Sequence, residues 1–132
     1  IGGDSKRIRI QNTTNWMVEY YLIVAVHINS NQGCKVFGEI HKEVDYDKNK
    51  HKPRMRLMTE TMKIADLYLK VKDAFEDKDI EVHIDINPNE KHGSSCVITE
   101  AVGYIRGMTG VTPKVKPAAW AASIAADKFP SL

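Results

Sequence analysis

The chain has 132 residues, a length that supports one domain with a single substantial core. Hydrophobic residues make up 42% and charged residues 27%, ordinary values for a soluble globular protein. The formal net charge of +2 is too small to imply nucleic acid, so any such case has to come from local charge.

No apolar run approaches the ~20 residues needed to span a bilayer, and no signal peptide is visible. The chain opens at Ile1 and not at Met, which reads as a lost natural start. Cys34 and Cys96 lack metal-type spacing and fit reduced thiols of a cytoplasmic protein.

Ile1-Gly2-Gly3-Asp4-Ser5 opens a first strand, continued by Ile8 and Ile10 alternating with Arg7 and Arg9. Residues 11–15 form a turn, and a long strand rich in Val, Ile and Tyr follows from Trp16 to about Ile28. After a second turn at 29–33, a third strand runs through Cys34, Val36, Phe37 and Ile40. Connections this short imply an antiparallel meander. Val44 to Pro53 is a charged connection.

From Arg54 to Phe75 the period becomes helical, with Leu57, Ile64, Leu67, Tyr68, Val71 and Phe75 in one stripe. Val82, Ile84 and Ile86 then alternate with His83 and Asp85, the pattern of a central strand with two unlike faces, stopped at Asn87-Pro88. Ser94 is placed to cap a helix whose stripe is Val97, Ala101, Tyr104 and Met108, ending near Gly107 or Gly110. Residues 112–116 predict a short edge strand, and Pro117 starts a last helix through Trp120 and Ile124 to about Lys128. The order is βββαβαβα. Right-handed crossovers would place the later strands parallel to the first, in a mixed α/β sheet flanked by helices.

Four acids occupy places that disfavour acids. Glu60 lies on the apolar stripe between Leu57 and Ile64, and Asp127 shares the face of Trp120 and Ile124. Asp85 interrupts the central strand and Asp4 the first. With the first and fourth strands as neighbours, Asp4 and Asp85 lie side by side, and the two helices bring Glu60 and Asp127 to the same end. Each acid has a plainer reading, as a boundary residue reaching water or, for Asp4, a turn former. Together they suit a carboxylate cluster neutralised by Mg²⁺ or Mn²⁺, since hard cations prefer oxygen ligands. Two such ions ~3.5–4 Å apart support in-line phosphodiester cleavage.

The Ile1-Gly-Gly-Asp-Ser5 start, the Val82–Ile86 run, Glu100-Ala-Val-Gly-Tyr-Ile-Arg-Gly107 and the Lys114-Val-Lys-Pro-Ala-Ala-Trp-Ala-Ala-Ser-Ile-Ala-Ala-Asp127 segment resemble the YkuK-like family of predicted ribonuclease H-like nucleases of bacteria. The similarity covers almost the whole chain, 1–132 as one domain. It implies a ribonuclease H-like fold with a mixed five-stranded sheet, and nuclease activity on RNA, RNA–DNA hybrid or DNA. It also implies Asp4, Glu60, Asp85 and Asp127 as catalytic metal ligands, for two Mg²⁺ or Mn²⁺ ions, with Asp4 and Asp85 the central pair. Two departures stand out. Only Ile1 precedes the first aspartate, so the first strand reads as truncated, and His92 follows the fourth strand where the family's histidine precedes the last helix. The alternative function is a nucleic-acid-binding or interaction domain that keeps the fold without cleaving.

Lys114 and Lys116 are placed to face a phosphate or to keep an edge strand soluble, and His92 to contact substrate or stand in solvent. The run Lys48, Lys50, Lys52, Arg54 and Arg56 reads as a solvated loop or a backbone contact. Met55, Met58 and Met62 read as core filler or helix covering. His83 reads as a partner of Asp85 or a satisfied buried histidine. An exposed sheet edge would allow two copies to pair.

Overall fold

The computed structural model describes residues 1–9, 16–27, 34–45, 54–76, 79–86 and 97–115. Three strands come first: β1 (Gly2–Arg9), β2 (Trp16–His27) and β3 (Cys34–Val44). They form an antiparallel sheet in the order β1-β2-β3, as the short connections predict. Gly2 stands opposite Ile23 and Arg9 opposite Trp16, while Met17 stands opposite Val44 and His27 opposite Cys34. Alternation sorts the side chains into two sets. Gly3, Ser5, Val18, Tyr20 and Leu22 lie on the face that carries the helices, and Gly2, Asp4, Tyr21 and Ile23 lie on the opposite face.

Two helices follow, α1 (Arg54–Val71) and α2 (Ile98–Thr109). Leu57, Glu60, Thr61, Ile64, Ala65 and Leu67 are the buried residues of α1, so its stripe is the one that three- and four-residue spacing predicts. The helix does not run unbroken to Phe75: after Val71 it tightens into a 3-10 turn, Lys72–Phe75. Lys72, Asp73 and Ala74 are exposed, so no apolar face remains to hold another α-turn against the core. Met55 and Met62 are exposed and only Met58 packs on the core, which removes the first two as core filler.

Helix α2 buries Ala101 and Ile105 below Val97, a line at four-residue steps. Tyr104 stands on its flank and Met108 is exposed, so the stripe expected through those two is shifted toward Ile105. The cap of α2 is Val97, without a side-chain hydrogen bond; Ser94 lies outside the described residues. Gly107 sits inside the helix. Gly110 ends it at φ +76°, its N–H donating to the Arg106 carbonyl at 2.9 Å, a left-handed cap that favours glycine.

Residues 81–86 are extended but pair only at single bridges, His83 parallel to Gly2 on one side and parallel to Lys114 on the other. The His83 N–H donates to the Ile1 carbonyl at 2.7 Å, the Ile84 N–H to the Lys114 carbonyl at 2.9 Å, and the Lys114 N–H to the Val82 carbonyl at 2.8 Å. The segment therefore lies between the start of β1 and residue 114, where the alternating pattern placed a full strand. Val82, Ile84 and Ile86 join Ile1, Leu22, Ile64, Val97, Ala101 and Ile105 in one core cluster. His83, on the alternate side, is just as buried. The last helix expected after Pro117 lies outside the described residues.

Helix α1 comes close to the sheet at Gly3. A Cβ there would stand 3.2 Å from the Ile64 side chain and 3.2 Å from Leu22 Cδ2, tighter than ordinary van der Waals contact. Glycine thus sets the distance at which α1 crosses β1. Gly3→Val should lower stability by about 1–3 kcal/mol through overpacking, and Ile64→Ala by about 2–5 kcal/mol through a cavity. The double variant should lose less than the two added together, because the truncated side chain vacates the space the valine fills. Urea unfolding of the three variants measures this, and strictly additive losses would exclude the contact as the cause.

Candidate functional site

Asp4 follows Gly3 on β1 and is half-buried, with one of its own oxygens accepting the Ser5 backbone N–H at 2.8 Å. Its register partner on β2 is Tyr21. Asp85 lies two residues beyond His83, and Asp4 two residues beyond Gly2, the two partners of a parallel bridge. Asp85 is also half-buried, on the same alternation as His83.

Glu60 comes from α1, one turn before the Ile64 that sits over Gly3. It is only 3% exposed, and its Oε2 accepts the Ser5 hydroxyl at 2.7 Å. Burial drives its pKa up from 4.5 to about 8; Asp4 and Asp85 push it further up, while the Ser5 hydrogen bond and Arg56 pull it down. A carboxyl away from water disfavours its charged form, and neighbouring carboxylates add to that. Asp4 and Asp85 are thus each close enough for Glu60 to feel their charge.

They do not share a point. Among the described residues, no three His, Cys, Asp or Glu side chains converge where one ion would be held. The alternation of β1 explains this: Ser5 and Asp4 project to opposite faces, and Glu60 is tied to the Ser5 side. As a donor set, three carboxylates suit a hard, oxygen-seeking divalent cation and no softer one.

Tyr21 was not singled out as a site residue, yet it faces Asp4 across the sheet. Its hydroxyl bonds the Glu19 carboxylate, and the Lys6 ammonium lies 5.6 Å from its ring centroid. Burial chiefly, with Glu19 and Asp4 adding to it, pushes its pKa up to about 12. Ser5 was also missed. The signal for it was position: two residues after Gly3, it shares the helix-facing side of β1.

Lys114 is not aimed at the acids. Its ammonium donates to Glu81 Oε1 at 2.9 Å, while Glu81 Oε2 lies 2.9 Å from His83 Nε2. Burial lowers the His83 pKa, so a neutral imidazole hydrogen-bonds Glu81, and the hydrogen bonds from His83 and Lys114 hold the Glu81 carboxyl below its usual range. His83 is therefore the satisfied buried histidine. Arg54 pairs with Glu100 at 2.5 Å, and Trp16 stacks under the Arg7 guanidinium at 4.6 Å. Asp127, Lys116 and His92, with Lys48, Lys50 and Lys52, lie outside the described residues.

Between the ordinary carboxyl range and about pH 8, the unfolded chain has released the Glu60 proton and the folded chain keeps it. Folding then binds a proton, so stability falls as pH rises through that window. In buffer with a metal chelator, chemical denaturation should show this loss between about pH 5 and about pH 8. Glu60→Gln, neutral throughout, should flatten the profile; an unchanged slope would assign it to other groups.

A family model described as Ribonuclease H-like matches residues 1–131 of the chain. No curated protein and no solved structure matches it. No helix among the described residues is long and apolar enough to cross a membrane.

Proposed function

The chain belongs to the ribonuclease H-like family, as its YkuK-like motifs anticipate, and from that premise we propose that it is a divalent-metal-dependent nuclease. Its reaction is hydrolysis of a phosphodiester bond in RNA, RNA–DNA hybrid or DNA. The observation that carries this reading is Glu60: a carboxyl buried in the core, hydrogen-bonded to Ser5 and within the field of Asp4 and Asp85. Nothing in packing alone calls for an acid there, since an apolar residue would fill the same space without desolvation cost.

Asp4, Glu60, Asp85 and Asp127 would hold the ions, two Mg²⁺ or Mn²⁺. When bound, such ions activate water and stabilise charge on the leaving oxygen. Asp4 and Asp85, adjacent on neighbouring extended segments, form the central pair. Ser5 holds Glu60 in place, and Glu60 must leave that hydroxyl to reach the side on which the two aspartates lie. Lys114 with Lys116 and His92 would contact substrate, Lys114 exchanging Glu81 for a phosphate. The two parallel bridges flanking His83 support a mixed five-stranded sheet, with residues 81–86 and 112–116 as its remaining strands.

A second reading is a nucleic-acid-binding module that keeps the fold and does not cleave. The separation of Glu60 from the aspartates, with no three donors at one point among the described residues, favours it. One experiment divides them. The protein is incubated with RNA–DNA hybrid, duplex DNA, single-stranded DNA and single-stranded RNA, with Mn²⁺ or with chelator. Cleavage that needs Mn²⁺ and falls by at least about 100-fold in Asp85→Asn and in Asp4→Asn supports the nuclease. Binding without cleavage supports the module. Neither cleavage nor binding, with no Mn²⁺-dependent rise in Tm, overturns both.

A further inference from the structure

Among the described residues β3 is an outer strand of the sheet, and most of its side chains are exposed. It runs eleven residues, Cys34–Val44, paired to β2 along its whole length. Phe37 is 58% exposed, Ile40 48% and Val44 52%. A long edge with exposed apolar residues templates pairing with another chain unless something covers it. Among the described residues, no strand pairs with its outer side.

The sequence of this edge is complementary to itself in one antiparallel register. We propose that two copies of the chain join edge to edge through β3, with the two-fold axis passing at Ile40, so that the two three-stranded sheets become one. A two-fold axis perpendicular to a sheet keeps each face on its own side, so residues pair with partners of like alternation. With the axis at Ile40, Ile40 meets its own copy and Val36 meets Val44. Glu39 meets His41 of the partner subunit, and the partner subunit's Glu39 meets His41. Gly38 leaves room opposite Lys42, and Phe37 lies along the stem of Glu43. Ile40 and the Val36–Val44 pair thus fall on apolar partners, and the acid falls on the imidazole.

Neighbouring registers lose this match. Moving the axis to Glu39 sets that carboxylate against its own copy and Val36 against Lys42. Moving it to His41 sets Glu39 against Glu43 and Ile40 against Lys42. Like charges directly opposite each other are destabilising, as is a lysine against an isoleucine.

The helix-facing side of β3 is prepared for the contact. His41 Nε2 lies 2.9 Å from Glu39 Oε2, His41 Nδ1 lies 3.1 Å from the Lys63 ammonium, and Lys63 pairs with Glu43 at 2.9 Å. Across the axis this row continues into its copy with the same alternation of charge. The contact is independent of the acids at Asp4, Glu60 and Asp85, which lie on β1, α1 and residues 81–86 and not on β3.

Sedimentation or light scattering of the full chain, with chelator present, reads the assembly. The expected result is a particle of twice 14.9 kDa that dissociates on dilution. Ile40→Lys, which places two ammonium groups at the axis, should give monomer with an unchanged circular dichroism spectrum. Glu39→Lys should weaken the dimer, and Glu39→Lys with His41→Glu should restore it, since the pair is then reversed. With both native cysteines replaced by alanine, Ile40→Cys should cross-link to its copy on oxidation, and Lys42→Cys should not. A monomer at all concentrations overturns the proposal, and so does a dimer that survives Ile40→Lys. Equal cross-linking at positions 40 and 42 overturns the register.

Discussion

The structure depends on the crossing of α1 over β1. Ile64 rests on Gly3 and, one turn earlier, Glu60 reaches Ser5. The first contact is apolar and tight; the second is a single buried hydrogen bond to an acid. Both are set by the same geometry, a helix rising ~5.4 Å per turn over a strand whose same-face residues are ~6.8 Å apart. A larger residue at position 3 would lift the helix and take Glu60 away from Ser5. Core packing and the placement of the buried acid are therefore one constraint.

That coupling gives the buried carboxyl its chemistry. Buried and hydrogen-bonded to Ser5, Glu60 bears a desolvation cost, and its proton is retained near neutral pH. The aspartates at positions 4 and 85 each lie two residues beyond the parallel bridge of Gly2 with His83, and both act on Glu60. Both aspartates raise the proton affinity of Glu60, adding to its burial. This buried acid is the feature on which the proposed metal-dependent reaction rests, beside the ribonuclease H-like family membership of the chain.

The sheet has two unlike margins. Along β1, pairing continues through His83 to Lys114, and the acids gather there. Along β3 the margin faces solvent with Phe37, Ile40 and Val44. The proposed chemistry and the proposed self-association would thus use opposite margins of the three-stranded sheet.

Local pattern was sufficient for most of the elements. Alternation and short turns specify the three-strand meander, and the three- and four-residue spacing of Leu57, Ile64 and Leu67 specifies α1, because each pattern has one way to bury its apolar face. The unusual positions of Asp4, Glu60 and Asp85 were legible for the same reason: an acid in an apolar period stands out. The end of α1 at Val71 and the shift of the α2 stripe to Ile105 were not, since they depend on which residues meet a neighbouring element. The bond from Ser5 to Glu60, and the engagement of Lys114 with Glu81, join residues 55 and 33 positions apart. Periodicity says which side of an element a residue occupies; only the packed chain decides what stands across from it.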